Sequence, residues 1–263
     1  MAVLPWRGSM ADAAGKMVTR RSFLGSAIKI AGLWTIITAG LSRNAFAANL
    51  ETDIKTWAAR IQEESARLRA GAITDARWRD ALDELTAHIA IEDVLQAIDF
   101  NRLKTETPFA EKGVSTARVA LPGFNGKRLA FTSKIFAIGP GRAIIPHGHE
   151  NMISAHLVLD GEMRLRQYDK LAREHNTLLI EPSVDKIIGP GAISSISLTG
   201  DNIHWMTTET GAWTLDIILT NINEKAEKAY DIFNLDMDAA APSAGGALRA
   251  PIIGVADALR KYG

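Results

Sequence analysis

From about residue 113 the chain stops reading in helical periods and becomes a series of short alternating apolar runs: ARVAL, KRLAFTSKIFAI, ISAHLVL, MRLRQY, TLLI, ISSISL and WTLDIIL. Gly, Pro, Asn and Asp separate them, and strands that short at that spacing predict seven or eight β-strands closed into a barrel or sandwich. A faint internal repeat supports two related halves. Ile138-Gly139-Pro140-Gly141 and Ile188-Gly189-Pro190-Gly191 each precede a strand-bearing half, and each half carries histidine downstream. The fold class expected is mainly β, a jelly-roll barrel preceded by helices.

The helices come from the segment before it. Ile54, Trp57, Ala58, Ile61 and Leu68 fall on or near one helical face. After Gly71, Thr74 is a plausible N-cap for a second run through Trp78, Leu82, Leu85 and Ile89. Further upstream, Thr19-Arg20-Arg21-Ser22-Phe23-Leu24, a moderately apolar stretch and Ala45-Phe46-Ala47 resemble a twin-arginine export signal. Lys29 interrupts the apolar stretch, and Ile30 to Leu41 falls short of the ~20 residues that span a bilayer. The expected organisation is therefore a signal peptide over 1–47, a helical segment packed on the barrel over 48–112, the barrel over 113–237, and a flexible linker with a C-terminal helix over 238–263. That reading makes the twin-arginine machinery a partner, places the mature chain in the periplasm, and leaves it without stable membrane insertion after cleavage.

Charge and cysteine content narrow the function. Removing 1–47 takes away six basic residues and one acidic residue, which leaves 24 basic against 29 acidic. No basic stripe remains to suit a nucleic acid or an anionic membrane. The sequence contains no cysteine, so stability rests on the core and no catalytic thiol exists.

The chemistry concentrates in PHGHENMISAHLVLDGEMRLRQYD, residues 146–169. His147 and His149 are spaced by two, so on a strand both imidazoles leave the same face. His204 lies in the second half, where a neighbouring strand could bring it opposite; three imidazoles on one side of a metal leave positions open for small molecules. His156, two residues from Ser154, shares that face. It admits three readings: a fourth ligand, a proton donor beside the ligands, or a hydrogen-bonded wall residue. His175 is expected in a solvated turn and His88 on a helix face, both without a chemical role.

These residues resemble the first motif of the cupin superfamily, with Gly141, His147, His149 and Gly161 in register and Ser154 where the family has an acid. The resemblance implies the cupin double-stranded β-helix and, without that carboxylate, the three-histidine site of the thiol dioxygenases. Pro146, His147, His149, Met152, Leu159, Gly161, Met163, Tyr168 and Asp169, followed by Asn202, His204, Leu215, Asp216, Ile217 and Ile218, resemble the 2-aminoethanethiol and N-terminal-cysteine dioxygenase branch. After Asp216 that branch has Pro-Pro-Tyr where this chain has Leu219-Thr220-Asn221-Ile222, so a tyrosine that shapes the branch's pocket is missing there.

The resemblance implies Fe²⁺ on His147, His149 and His204, with Asp216 and His156 as the candidate catalytic residues. Asp216 could accept a hydrogen bond from a substrate amine or hold a water. A small thiol and dioxygen would then be the reacting partners, and a barrel edge could pair two copies into a homodimer. Two other readings stand beside this one: a cupin isomerase or different oxygenase on the same histidines, and a non-enzymatic periplasmic binding cupin.

Overall fold

The computed structural model describes residues 43–124, 128–226 and 228–263, with side chains from Asp53 onward. Arg20, Arg21 and the apolar stretch of the expected export signal lie outside the described residues. Helix α1 (Arg43–Arg69) is followed by α2 (Asp75–Ala87), α3 (Ile91–Ala97) and α4 (Phe100–Glu106). Thr74 caps α2 as its position suggests, its hydroxyl accepting from the Arg77 backbone N–H at 3.2 Å. Trp78 is fully buried and gives its indole N–H to Ser65 at 3.1 Å, which satisfies the one polar atom of the ring.

The strands are β1 (Val114–Arg118), β2 (Thr132–Ile138), β3 (Ala143–Glu150), β4 (Met152–Gly161), β5 (Met163–Glu174), β6 (Thr177–Ile188), β7 (Ile193–Ser195), β8 (Ile203–Thr207), β9 (Ala212–Thr220) and β10 (Asp231–Leu235). Two more, β11 (Ala241–Pro242) and β12 (Leu248–Ile253), precede helix α5 (Val255–Tyr262). One sheet runs β1-β2-β9-β4-β7 and the other β10-β3-β8-β5-β6-β12-β11, every pairing antiparallel. This is a mainly-β, double-stranded β-helix with N-terminal helices.

The internal repeat is a repeat in space. The Gly141 N–H donates to the Thr208 carbonyl and the Thr208 N–H to the Arg142 carbonyl; the Gly191 N–H donates to the Val158 carbonyl and the Val158 N–H to the Ala192 carbonyl. Each Ile-Gly-Pro-Gly turn is thus pinned to the far half by the same pair of bonds.

The helices pack on the outer face of the five-stranded sheet, where Ile153, Ala155, Leu157 and Leu159 of β4 join Trp57, Ile61, Trp78 and Leu82 in one core. That cover explains why β4 is buried from Met152 to Leu159 without alternation. One expectation fails. The Ala- and Gly-rich stretch 238–251 is not a free linker, because it contributes β11 and most of β12, and β12 pairs with β6 from Leu248↔Ile180 to Pro251↔Thr177. Its small residues give no apolar period, and the pairing supplies the order that local sequence does not.

Candidate metal centre

Strands β3 and β8 build the site. His147 is the direct cross-strand partner of His204, and His149 follows two residues later on the same face of β3. The ligand atoms of His147, His149 and His204 all lie within 4.8 Å of one another. The His147 and His204 Nε2 atoms are 3.0 Å apart. Two metal–imidazole bonds of about 2.1 Å at a right angle span about 3 Å, so the pair has the separation that a shared cation requires.

The surroundings prepare these rings as ligands. The Ile145 carbonyl accepts from His147 Nδ1 at 2.7 Å, which leaves Nε2 with its lone pair. Both nitrogens of His149, and Nδ1 of His204, are buried without a hydrogen-bond partner. Burial pushes His149 and His204 well below the usual imidazole range, and the neighbouring His147 adds to the effect; burial also lowers His147. Neutral imidazoles with unspent lone pairs, converging on one point, fit a divalent metal.

The glycine between the two histidines is required by packing. A Cβ on Gly148 would lie 2.3 Å from Phe233 Cζ and 2.9 Å from Ile203 Cγ1, on the face away from the imidazoles. Gly161 of the same motif has φ +82°, and a Cβ there would meet the Gly211 carbonyl at 2.2 Å.

Helix α2 fixes the segment that leads into β8. Asp75 accepts from the Leu198 N–H at 2.6 Å, Arg79 pairs with Asp201 at 3.0 Å, and Asp83 accepts from the Ser195 hydroxyl at 2.5 Å. Asp169 accepts from the Asp201 N–H at 2.7 Å. The Asn202 amide donates to the His149 and Ser197 carbonyls at 3.3 and 3.2 Å. Asn202 thus ties the His149 backbone to the segment that leads into β8, and Asp169 ties that segment to β5.

His156 and Asp216 stand beside the triad. They are direct partners across β4 and β9, with His156 Nε2 3.4 Å from Asp216 Oδ2. His156 Nδ1 lies 3.0 Å from the Thr214 hydroxyl, and the His156 ring centroid is 5.5 Å from that of His204. Burial, reinforced by His147, pushes His156 down to about 3, while burial raises Asp216 well above the carboxylate range against the pull of Lys134. Both shifts favour the uncharged forms of the two groups. The carboxyl's other oxygen, Oδ1, is buried without a partner.

A cavity of about 340 Å³ opens onto His147, His149, His156, Ser154 and Asp216. That volume is in the range of small-molecule sites. Ser154 occupies the missing acid's place, buried, with its hydroxyl unpartnered. Tyr230, ahead of β10, lines the mouth, so a tyrosine reaches this pocket from a different part of the chain than the branch pattern supplies. Arg118 and Lys134 also line it; nothing in the local sequence marked them, because their place depends on the pairing of β1 with β2. His88 ends α2 with its Nδ1 2.7 Å from the Glu84 carbonyl, and His175 sits exposed in the β5–β6 turn at φ +51°. Neither approaches the site.

Compared by sequence, the chain matches no family model and no curated protein. Among solved structures it is similar to a cupin superfamily protein from Desulfitobacterium hafniense, 14% identical over 44% of this chain and 84% of that one, with a TM-score of 0.30. It is also similar to a Klebsiella pneumoniae protein with a double-stranded β-helix domain, 10% identical over 49% of this chain and 92% of that one, with a TM-score of 0.33. The strand order and the inward histidines define the class on their own: a mainly-β barrel of two antiparallel sheets with a three-histidine group that could hold a metal ion.

Proposed function

We propose that the chain is an iron-dependent dioxygenase that oxidises a small thiol to a sulfinate. The observation that supports this best is the convergence of three neutral imidazoles with serine, not a carboxylate, at position 154. His147, His149 and His204 would hold Fe²⁺, which would keep its full charge and supply positions for a thiolate and dioxygen. The reaction balances as R–S⁻ + O₂ → R–SO₂⁻. Sulfur loses four electrons, dioxygen gains four, and both oxygen atoms end on sulfur, so no further reductant is consumed.

The chain's own residues would orient the substrate. Thr214 fixes the His156 ring, His156 lies 3.4 Å from Asp216, and the Asp216 carboxyl would accept a hydrogen bond from substrate or a water. Ile144, Met152 and Ile218 supply apolar wall for the carbon chain.

Oxygen uptake by ferrous-loaded protein on cysteamine, cysteine and 3-mercaptopropionate, with mass detection of the sulfinate, tests the reading. Absence of uptake on all three overturns it.

The reading also includes export: the Arg20-Arg21 pair would carry the folded, metal-loaded chain to the periplasm. An N/O site holds Fe²⁺ more weakly than Cu²⁺ or Zn²⁺, so filling it before export protects its identity. Replacing both arginines by lysine should strand the precursor inside the cell, and normal secretion of that variant would remove this part.

A further inference from the structure

A row of paired residues crosses the five-stranded sheet on its inner face. Arg118 of β1 is opposite Lys134 of β2, Lys134 is opposite Asp216 of β9, and Asp216 is opposite His156 of β4. Directly opposed residues share a face, so the row runs from the cavity mouth to the metal centre, and all four residues line the cavity.

Lys134 stands on the unexpected side of its strand. In β2 the alternate residues Ser133, Ile135 and Ala137 are buried on the opposite face, while Lys134 sits between Thr132 and Phe136 on the cavity face. A half-buried ammonium gives up part of its hydration, and a structural lysine recovers that through an ion pair or hydrogen bond. Lys134 has only the charge interaction with Asp216, its cross-strand neighbour, and Arg118 beside it is exposed at the entrance. Asp216 is the one acid lining the cavity among the described residues, and it is already engaged by His156. Across the mouth lie Tyr230 and Ile232, each nearly half exposed, with Ile232 directly opposite His149. The entrance therefore offers two cations on one side, with a single uncharged-leaning acid between them and the histidines, and an apolar wall on the other.

We infer that the substrate carries a carboxylate or an equivalent anion, held by Arg118 and Lys134 while its other end reaches the histidines. This rests on the reading above only in taking the cavity as the substrate site. Neighbouring strands are about 4.8 Å apart, so Lys134 stands two strands and Arg118 three from His156. The long Lys134 and Arg118 side chains cover part of that gap and a short substrate chain covers the rest. A guanidinium and an ammonium together favour an oxyanion by charge-assisted hydrogen bonds and raise its local concentration at the entrance.

The test is equilibrium binding by calorimetry, without oxygen, on the full chain loaded with Fe²⁺. Two matched pairs serve as probes: 3-mercaptopropionate with 3-mercapto-1-propanol, and butyrate with 1-butanol. Each acid should bind at least tenfold more tightly than its alcohol. Arg118→Gln and Lys134→Gln should each weaken acid binding about tenfold and leave the alcohols unchanged, and Lys134→Arg should restore it. Equal affinity for acid and alcohol, no binding of either acid, or an acid preference that survives the double variant overturns the inference. Acid preference without oxygen uptake on any thiol would remove the thiol chemistry and keep the anion site; oxygen uptake without acid preference would do the reverse.

Discussion

His156 and Asp216 face each other across β4 and β9 with Nε2 and Oδ2 3.4 Å apart, both buried, and both shifted toward the uncharged form. Neither is among the three converging ligands, which makes Asp216 separable from metal binding. Asp216→Asn should keep the metal content of the wild type and fold normally, because the amide is isosteric. Turnover on thiols should fall by roughly 10²–10⁴-fold, the loss expected when a positioned proton-handling or orienting group is removed. If Asp216 meets a substrate amine, cysteamine should suffer more than 3-mercaptopropionate. Oxygen uptake and metal analysis on the same samples check this, and loss of metal from the variant would count Asp216 among the ligands.

The ligand set makes a sharper demand. His147→Ala, His149→Ala and His204→Ala should each lose most bound metal, because each removes one of three converging nitrogens. His88→Ala and His175→Ala should keep it, since both rings lie at the surface away from the site. A His204→Ala protein that retains its metal while His156→Ala loses it would move the third ligand from β8 to β4.

Much of this site could be read from spacing alone. His147 and His149 sit two apart on a strand, and the period-two rule aims them together without any knowledge of the fold. His204 needed one more step, a partner strand from the second half, and β8 supplies it. Arg118 and Lys134 were not legible, because their approach to Asp216 is a matter of register between β1, β2 and the distant β9. The same limit hid β12, whose Leu248–Ile253 has no strong alternation and takes its conformation from pairing with β6. Ser154 is the opposite case, where one residue could be read in the sequence itself as leaving no carboxylate at that position of β4.

Gly148 offers a test of how tightly packing sets the ligand geometry. Gly148→Ala would place a methyl group against the Phe233 ring and Ile203, and β3 or β10 must move to admit it. Overpacking of this kind costs about 1–3 kcal/mol. His147 and His149 flank the displaced backbone, so metal affinity should drop together with the melting temperature. Phe233→Leu in the same chain should recover part of both. Thermal melts and metal titration check the pair, and an alanine variant with unchanged melting temperature and metal affinity would show that β3 is not held by this contact.

Burying four uncharged imidazoles ties stability to pH. In the unfolded chain each histidine takes a proton near pH 6.5, whereas burial holds His147, His149, His156 and His204 below that in the folded protein, His156 down to about 3. Between those limits the unfolded state binds more protons, so stability rises with pH and is lost on acidification below about 6.5. Each histidine contributes at most about 1.4 kcal/mol per pH unit to that slope. Asp216 acts in the opposite sense. Its raised value lets the folded state keep a proton that the unfolded state releases above about pH 3.9, so its contribution is lost as pH rises, one group against four. The urea midpoint of metal-free protein should therefore fall between pH 7.5 and pH 5.5, and less steeply in His156→Gln. Metal-loaded protein should fall more steeply still, because protons then compete with the metal for the same three nitrogens. A metal-free midpoint that stays constant over that range would mean the four rings are not held neutral by burial.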